Sequence, residues 1–355
     1  MRTPESPTSR RQILAAGLLT PLGLLAACSG ETPKDVNTAE VPSPTPSTTE
    51  PSPTPTPEPT WPLTGKTGDI TSRPAMSVKI ENTAAARPQT GLQQADVVWE
   101  EMVEGGITRH SAVFHSRLPD SFGPVRSVRP MDAAIAAPYH GLMVFSGGQK
   151  PFIEALRKAG LQLFADDLSS PGFHRSSDRY APHNLFANPK EILKNADSEH
   201  QDPPPEQLLF ATEKKKPTAV AEGKKAGSIA ISFPSSHPGW DWDGKSKAWR
   251  RTESGDKAMT TDSGQITAVN VVVLRVKVVA TSYRDPAGNP VPDTELKGEG
   301  EAIVATGGKT LKCRWSKGGV QKPLVLQADG DDVLLAPGNT WIELVPRDGS
   351  SVQIG

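Results

Sequence analysis

From Trp61 onward the chain alternates between two hydrophobic periods. Ala75-Met76-Ser77-Val78-Lys79-Ile80 puts an apolar side chain at every second position, the period of a half-buried strand. Ala95 to Val103 and Ile107 to His115 read as two more strands, joined as a hairpin across Gly105-Gly106. Pro130 opens a helix over residues 131–137, since a first helical turn tolerates proline. Leu142 to Phe145 is a short apolar strand, and Pro151 to Ala159 a helix closed by Gly160. Strands interleaved with helices predict an α/β or α+β domain over residues 61–200.

The pattern then changes twice. Residues 201–227 are polar, with Pro203-Pro204-Pro205 and Lys214-Lys215-Lys216, which predicts a linker whose lysine run is a solvated face. Beyond it, short apolar runs near 228–233, 270–280, 301–306, 311–315, 323–327, 333–335 and 340–345 are separated by Gly, Pro and Asp turns. That predicts a β-rich sandwich or barrel over 228–355.

Ahead of Trp61 neither period holds. Arg2, Arg10 and Arg11 precede an apolar run that starts at Ile13, is interrupted by Gly and Pro, and ends in Leu25-Ala26-Ala27-Cys28. This reads as a signal peptide over 1–27, and its last four residues resemble a bacterial lipobox, so Cys28 is the expected lipidation site. Ser9-Arg10-Arg11-Gln12-Ile13-Leu14 also resembles a twin-arginine export motif, but Arg-Arg pairs occur in ordinary signals too, and both routes stay open. Residues 28–60 then form a Pro/Thr/Ser-rich tether, including Pro51-Ser52-Pro53-Thr54-Pro55-Thr56-Pro57. Such a sequence buries no core and favours extended polyproline, about 3 Å per residue, so it holds a domain up to roughly 90 Å from its anchor. The expected location is the extracytoplasmic face of the membrane, anchored through Cys28.

Composition sharpens this in two places. Nine of the 35 prolines fall between Pro33 and Pro59, so the proline excess belongs largely to the tether. Two cysteines argue against a disulfide scaffold, and no Cys/His cluster suggests structural zinc. With Cys28 lipidated, Cys313 has no partner and reads as a small buried hydrophobe on an alternating strand. The net charge of −1 excludes binding of polyanions by bulk charge, so no nucleic-acid partner is expected and any anion site must come from local geometry. No cofactor and no metal are expected.

The densest polar constellation lies in the first domain. Glu100, Glu101 and Glu104 end one strand, and Arg109 follows on the next. Gly123-Pro124-Val125-Arg126-Ser127-Val128-Arg129-Pro130 sets two arginines beside a helix start, and Ser146-Gly147-Gly148 is a strand-to-helix turn with free backbone N–H groups. His174, Arg175, His183 and Asn184 fall in a loop-rich stretch. Guanidinium groups and helix starts hold phosphate or carboxylate well. Arg109, Arg126, Ser127, Arg129, Ser146, Gly147, Gly148, Arg175 and Asn184 are therefore candidate ligand-binding residues. Glu101 or Glu104 is a candidate base and His183 a candidate acid or orienter. The alternative is an Arg–Glu network that pins loops without chemistry. Ser146, His183 and Asp178 make a weaker nucleophile triad, because Phe145-Ser146-Gly147-Gly148-Gln149 lacks the Gly-x-Ser-x-Gly elbow. His110 and His115, five apart on a strand, point to opposite faces and form no metal pair. Trp240, Trp242 and Trp249 suit core or cross-strand packing better than sugar stacking.

Several ordered motifs resemble the YerB-like bacterial lipoproteins. They are Pro62-Leu63-Thr64-Gly65, Ala85-Ala86-Arg87-Pro88-Gln89-Thr90-Gly91-Leu92 before Ala95-Asp96-Val97-Val98, Glu104-Gly105-Gly106-Ile107-Thr108-Arg109, Gly123 to Arg129, and Ala181-Pro182-His183-Asn184. Gly298-Glu299-Gly300-Glu301-Ala302 and Pro337-Gly338-Asn339-Thr340-Trp341-Ile342 extend the resemblance to the second half. Gly147-Gly148-Gln149 departs from the Gly-Gly-Ser the family suggests. The resemblance implies an α/β-type first domain, a β-rich second domain and an envelope location, with no activity attached. The expected function is recognition or processing of an anionic cell-envelope group, such as a wall glycopolymer or peptidoglycan fragment; the alternative is a non-catalytic binding or scaffold lipoprotein.

Overall fold

The first half is built around a hairpin and a parallel extension. Strand β1 (Met76–Glu81) pairs antiparallel with β3 (Thr108–Phe114), which pairs antiparallel with β2 (Val97–Met102). On its other edge β1 runs parallel to β4 (Leu142–Phe145), and β4 runs parallel to β5 (Gln162–Ala165). Helix α1 (Asp132–Ala136) precedes β4, and α2 (Lys150–Lys158) links β4 to β5. The apolar side of α2, Phe152, Ile153 and Leu156, packs with Met143 and Phe145 of β4. Gly160, at φ 79°, ends α2 where the sequence places its stop. This computed structural model describes residues 58–355; the expected signal, Cys28 and nearly all of the tether lie outside the described residues.

The sheet does not stop where the first sequence segment stops. β2 pairs parallel with strand Thr340–Pro346, in register from Val97↔Thr340 to Glu100↔Glu343. That strand pairs in turn with Asn270–Arg284, and strands Gly298–Thr306, Lys309–Lys317, Val325–Ala328 and Asp331–Asp332 follow outward in one 13-stranded sheet. Val271, Val272, Val273 and Leu274 are all buried, as an unbroken apolar run in a sheet covered on both faces requires. A six-stranded sheet lies over one face. Its Ile229, Ile231, Trp240 and Trp249 share a core with Ile80, Val98, Phe114 and Trp341.

Three expectations change. The second half is β-rich, but its strands divide between the shared sheet and the smaller one rather than closing a sandwich or barrel of their own. The first half keeps the mix of strands and helices expected of an α/β or α+β domain, but sheet outweighs helix because its helices, Asp132–Ala136, Lys150–Lys158 and Pro189–Lys194, are short. Residues 201–227 are packed rather than a free linker: Leu208, Ala211 and Ala219 are buried, and Lys224–Lys225 pairs with Lys309 and Thr310. A few apolar residues among many polar ones do that work, and average composition hides them. Lys214, Lys215 and Lys216 are exposed, as expected for a solvated face.

Candidate functional site

Strand alternation sorts the charges. Met76, Val78 and Ile80 of β1 face the core shared with the smaller sheet, which sends Lys79 and Glu81 to the opposite face. Glu101 of β2 and Arg109 of β3 point the same way, and the ladders set Arg109 opposite both Glu81 and Glu101. The segment from Gly123 to Asp132 crosses this face. The Arg126 N–H donates to the Lys79 carbonyl at 2.9 Å, and Arg109 Nη1 donates to the Ser127 carbonyl at 2.9 Å.

Most charges here are paired. Lys79 Nζ donates to Glu101 and, at 2.8 Å, to Asp132 Oδ1, with all three side chains sealed from solvent. Burial lowers the Lys79 ammonium to about 8, against the pull of Asp132. Arg129 grips Glu104 with both arms, Nε to Oε1 at 2.5 Å and Nη2 to Oε2 at 2.8 Å. Glu81 accepts from Thr83 Oγ1 at 2.7 Å, and both its oxygens lie 2.9–3.0 Å from His183 Nδ1. Arg126 Nε stands 3.6 Å from Glu81 Oε2, and Arg126 Nη1 donates to the Pro182 carbonyl at 3.2 Å.

Arg109 differs. It is 7% exposed and, among the described residues, has no carboxylate within 4 Å and no acceptor for its Nε and Nη2, which are not among the sealed nitrogens. Burial first, then the neighbouring Arg129 and Arg126, lowers its guanidinium to about 9.

The remaining expected residues scatter. Ser127 and Ser146 share a hydroxyl contact at 3.2 Å beside the cluster. Gly147 and Gly148 act in packing: a Cβ on Gly147 would meet Asp167 Oδ2 at 1.6 Å, and one on Gly148 would meet Val128 Cγ2 at 2.7 Å. Arg175, 51% exposed at its side chain, makes an outer pair with Asp166 at 2.8 Å and Asn184 at 3.1 Å. Ser146, His183 and Asp178 make no mutual bond, because His183 is taken by Glu81 and Asp178 by Ser176. The expected acid–base set is therefore revised. Glu101 is locked to a buried lysine, Glu104 to Arg129, and His183 is oriented by Glu81 instead of either.

Sequence reading missed Lys79, Glu81 and Asp132. The signal was there: Lys79 and Glu81 are opposite charges on the polar side of one strand, the side ordinarily read as facing water.

Glu100 points to the other face and joins a second buried cluster. Arg251 reaches Glu100 at 2.6 Å, Glu343 at 3.0 Å and Glu253 at 3.3 Å, with its guanidinium 4.8 Å from the Trp341 ring and 5.3 Å from the Trp240 ring. Burial would raise Glu100, yet Arg251 holds it well below the usual carboxylate range. Burial, reinforced by the charge of Glu100, pushes Glu343 well above it. This cluster fastens the two sheets together. Trp240 and Trp249 are buried and Trp242 packs 5.3 Å from Trp249, which is core packing. His110 meets Trp341 edge-on and His115 meets Trp61 edge-on, on opposite faces of the sheet. Cys313 is a free, half-buried thiol that burial pushes up to about 12.

One sheet assembled from two sequence segments, with an arginine-lined ion-pair cluster on the first, defines a bipartite β-rich protein. The chain belongs to the DUF3048 family: the family's N-terminal domain matches residues 63–202 and its C-terminal domain residues 229–342, both described as of unknown function. It is 29% identical over 307 residues to the protein named "Putative lipoprotein YerB" of Bacillus subtilis (strain 168), covering 83% of this chain and 88% of that one. The crystal structure of YerB protein from Bacillus subtilis matches with a TM-score of 0.70 at 23% identity, over 83% of this chain and all of the other. Among the described residues no helix is long and apolar enough to cross a membrane.

Proposed function

We propose that this is a lipid-anchored extracytoplasmic protein that binds a singly charged anionic group of the cell envelope at Arg109. The anchor reading draws on Cys28 in its lipobox-like setting and on the lipoprotein name of the Bacillus relative. The observation that carries the anion reading is Arg109 itself, a buried guanidinium with two nitrogens unbonded and no carboxylate partner among the described residues. A buried cation left unpaired is costly, so a bound anion is its natural complement.

Local charge sets the class of ligand. Lys79, Arg109, Arg126 and Arg129 stand against Glu81, Glu101, Glu104 and Asp132, four cations to four carboxylates. A balanced site favours a monoanion, a phosphodiester or a carboxylate, over a dianion. Wall glycopolymers carry the first and peptidoglycan fragments the second. A second reading, a scaffold whose ion pairs only pin loops, is favoured by the two-armed Arg129–Glu104 pair.

Titration of the mature chain from Cys28 with dimethyl phosphate and with acetate, followed by NMR, separates these. Saturable shifts that Arg109→Leu abolishes support binding, and the stronger ligand names the source. No shift with either anion, together with a lowered Tm for Arg109→Leu, supports the scaffold.

A further inference from the structure

We propose that His183 is the acid–base group of a phosphodiester-cleaving site, with Glu81 as its positioning residue. The inference rests on the anion reading above and narrows it to one class of substrate.

Glu81 is buried, accepts from Thr83 Oγ1, and turns both oxygens toward one ring nitrogen of His183. Its contacts of 2.9 and 3.0 Å with Nδ1 therefore place the ring proton on that nitrogen. Nε2 of the same ring has no partner among the described residues, on a side chain 29% exposed, and in the neutral ring with its proton on Nδ1 that nitrogen carries the lone pair. A carboxylate that fixes tautomer and ring orientation while the other nitrogen faces solvent is the arrangement of a general base. The backbone reinforces it. The His183 N–H donates to the Tyr180 carbonyl at 2.9 Å, and Arg126 clamps the Pro182 carbonyl of the same turn. Glu101 and Glu104 are committed to Lys79 and Arg129, so His183 is the one group of the expected acid–base set that remains open.

Glu81 also ties the base to the anion site. It touches His183 directly, lies 3.6 Å from Arg126 Nε, and pairs in register with Arg109. An anion on these arginines thus carries its charged atoms beside His183. In a carboxylate ligand the charge lies away from a scissile bond, whereas in a phosphodiester the charged centre is the reacting centre. In the step, a water oxygen bonds to phosphorus as its proton passes to Nε2. The P–O bond to the leaving group breaks, the electron pair departs with that oxygen, and His183 returns its proton to that same oxygen. One water is consumed, and a phosphomonoester and an alcohol or phenol are formed.

The test uses the full chain in detergent with bis(4-nitrophenyl) phosphate, reading nitrophenolate, alongside NMR binding of dimethyl phosphate. Turnover above the protein-free rate is expected, with His183→Asn lowering it by about 100-fold or more. Glu81→Gln should lower it less, and added imidazole should restore activity to His183→Gly, which a merely structural role would not allow. Circular dichroism melts establish that each variant is folded. Dimethyl phosphate bound without turnover, or turnover unchanged in His183→Asn, overturns the inference and leaves the anion reading standing. Neither binding nor turnover overturns both.

Discussion

Glu100 and Glu101 are consecutive residues of β2, and their carboxylates meet cations on opposite faces of the same sheet. Glu100 pairs with Arg251 at 2.6 Å between the two sheets, and Glu101 pairs with Lys79 beneath the segment that carries Arg126 and Arg129. A single strand therefore organises a structural cluster on one side and the candidate site on the other. The division follows from the two-residue period of the strand alone.

The inter-sheet cluster predicts a large effect from one substitution. Arg251→Met keeps the volume but leaves Glu100 buried with no strong counter-charge, and removal of one partner of a buried pair costs about 3–5 kcal/mol. The double variant Arg251→Met/Glu100→Gln also removes that stranded charge and should recover part of the loss. Urea unfolding of the unsubstituted chain, of Arg251→Met, of Glu100→Gln and of the double variant checks this. A double variant as unstable as the sum of its two single changes would mean the pair is not coupled.

The hairpin turn gives a finer comparison. Gly105 and Gly106 both have positive φ, 70° and 72°, but an added Cβ meets nothing within 4 Å at Gly105 and meets Pro234 Cβ at 2.6 Å at Gly106. Gly105→Ala should cost only the backbone penalty, about 1–2 kcal/mol. Gly106→Ala should cost clearly more, because the turn must also move away from the second sequence segment, whose Ser235 N–H donates to the Gly106 carbonyl at 3.0 Å. Equal losses in thermal melts would show that the contact with Pro234 yields freely.

Local patterns in the sequence carried the elements well and the assembly poorly. Leu142–Phe145 has the predicted bounds, and the hairpin at Gly105-Gly106 and the stop at Gly160 follow from turn chemistry. The pairing of β2 with Thr340–Pro346 joins residues more than 240 positions apart, and no local period encodes which distant strand completes a sheet. The site was legible in parts. Arg109, Arg126, Arg129, Glu104 and His183 do gather, because each lies in or beside a motif that fixes a turn or strand end. Lys79 and Glu81 were hidden by the habit of reading the polar side of a strand as solvent. Covering that side with α1 and the Gly123–Asp132 segment turned two ordinary surface charges into the centre of the cluster.

Stability should depend on pH through His115. The ring is buried, meets Trp61 edge-on at a centroid distance of 5.0 Å, and neither nitrogen has a partner among the described residues. Burial, and then the charge of Arg73, lowers it to about 4. The unfolded chain protonates this histidine near 6.5. Between those values the unfolded state binds more protons, so stability falls as pH drops from about 6.5 to about 4. His115→Leu should flatten that part of the profile measured by urea unfolding. An unchanged slope would assign the pH dependence elsewhere.

Charge at the candidate site can be changed without touching Arg109. Glu104 neutralises Arg129 through two hydrogen bonds, so Glu104→Gln keeps the shape and one acceptor while leaving the site one positive charge in excess. If the balanced charge limits the site to monoanions, this variant should bind dimethyl phosphate more tightly and begin to accept a phosphomonoester dianion. The gain should shrink as salt rises from 0.05 to 0.5 M, on the order of a change in Debye length from about 14 to 4 Å. Glu101→Gln removes a charge on the same face, but its partner Lys79 is sealed from solvent, so that variant should lose stability without a comparable gain in affinity. Titrations of both variants at the two salt concentrations make the comparison. Equal gains for Glu104→Gln and Glu101→Gln would mean that net charge alone, and not the guanidinium edge at Arg109 and Arg129, governs anion binding.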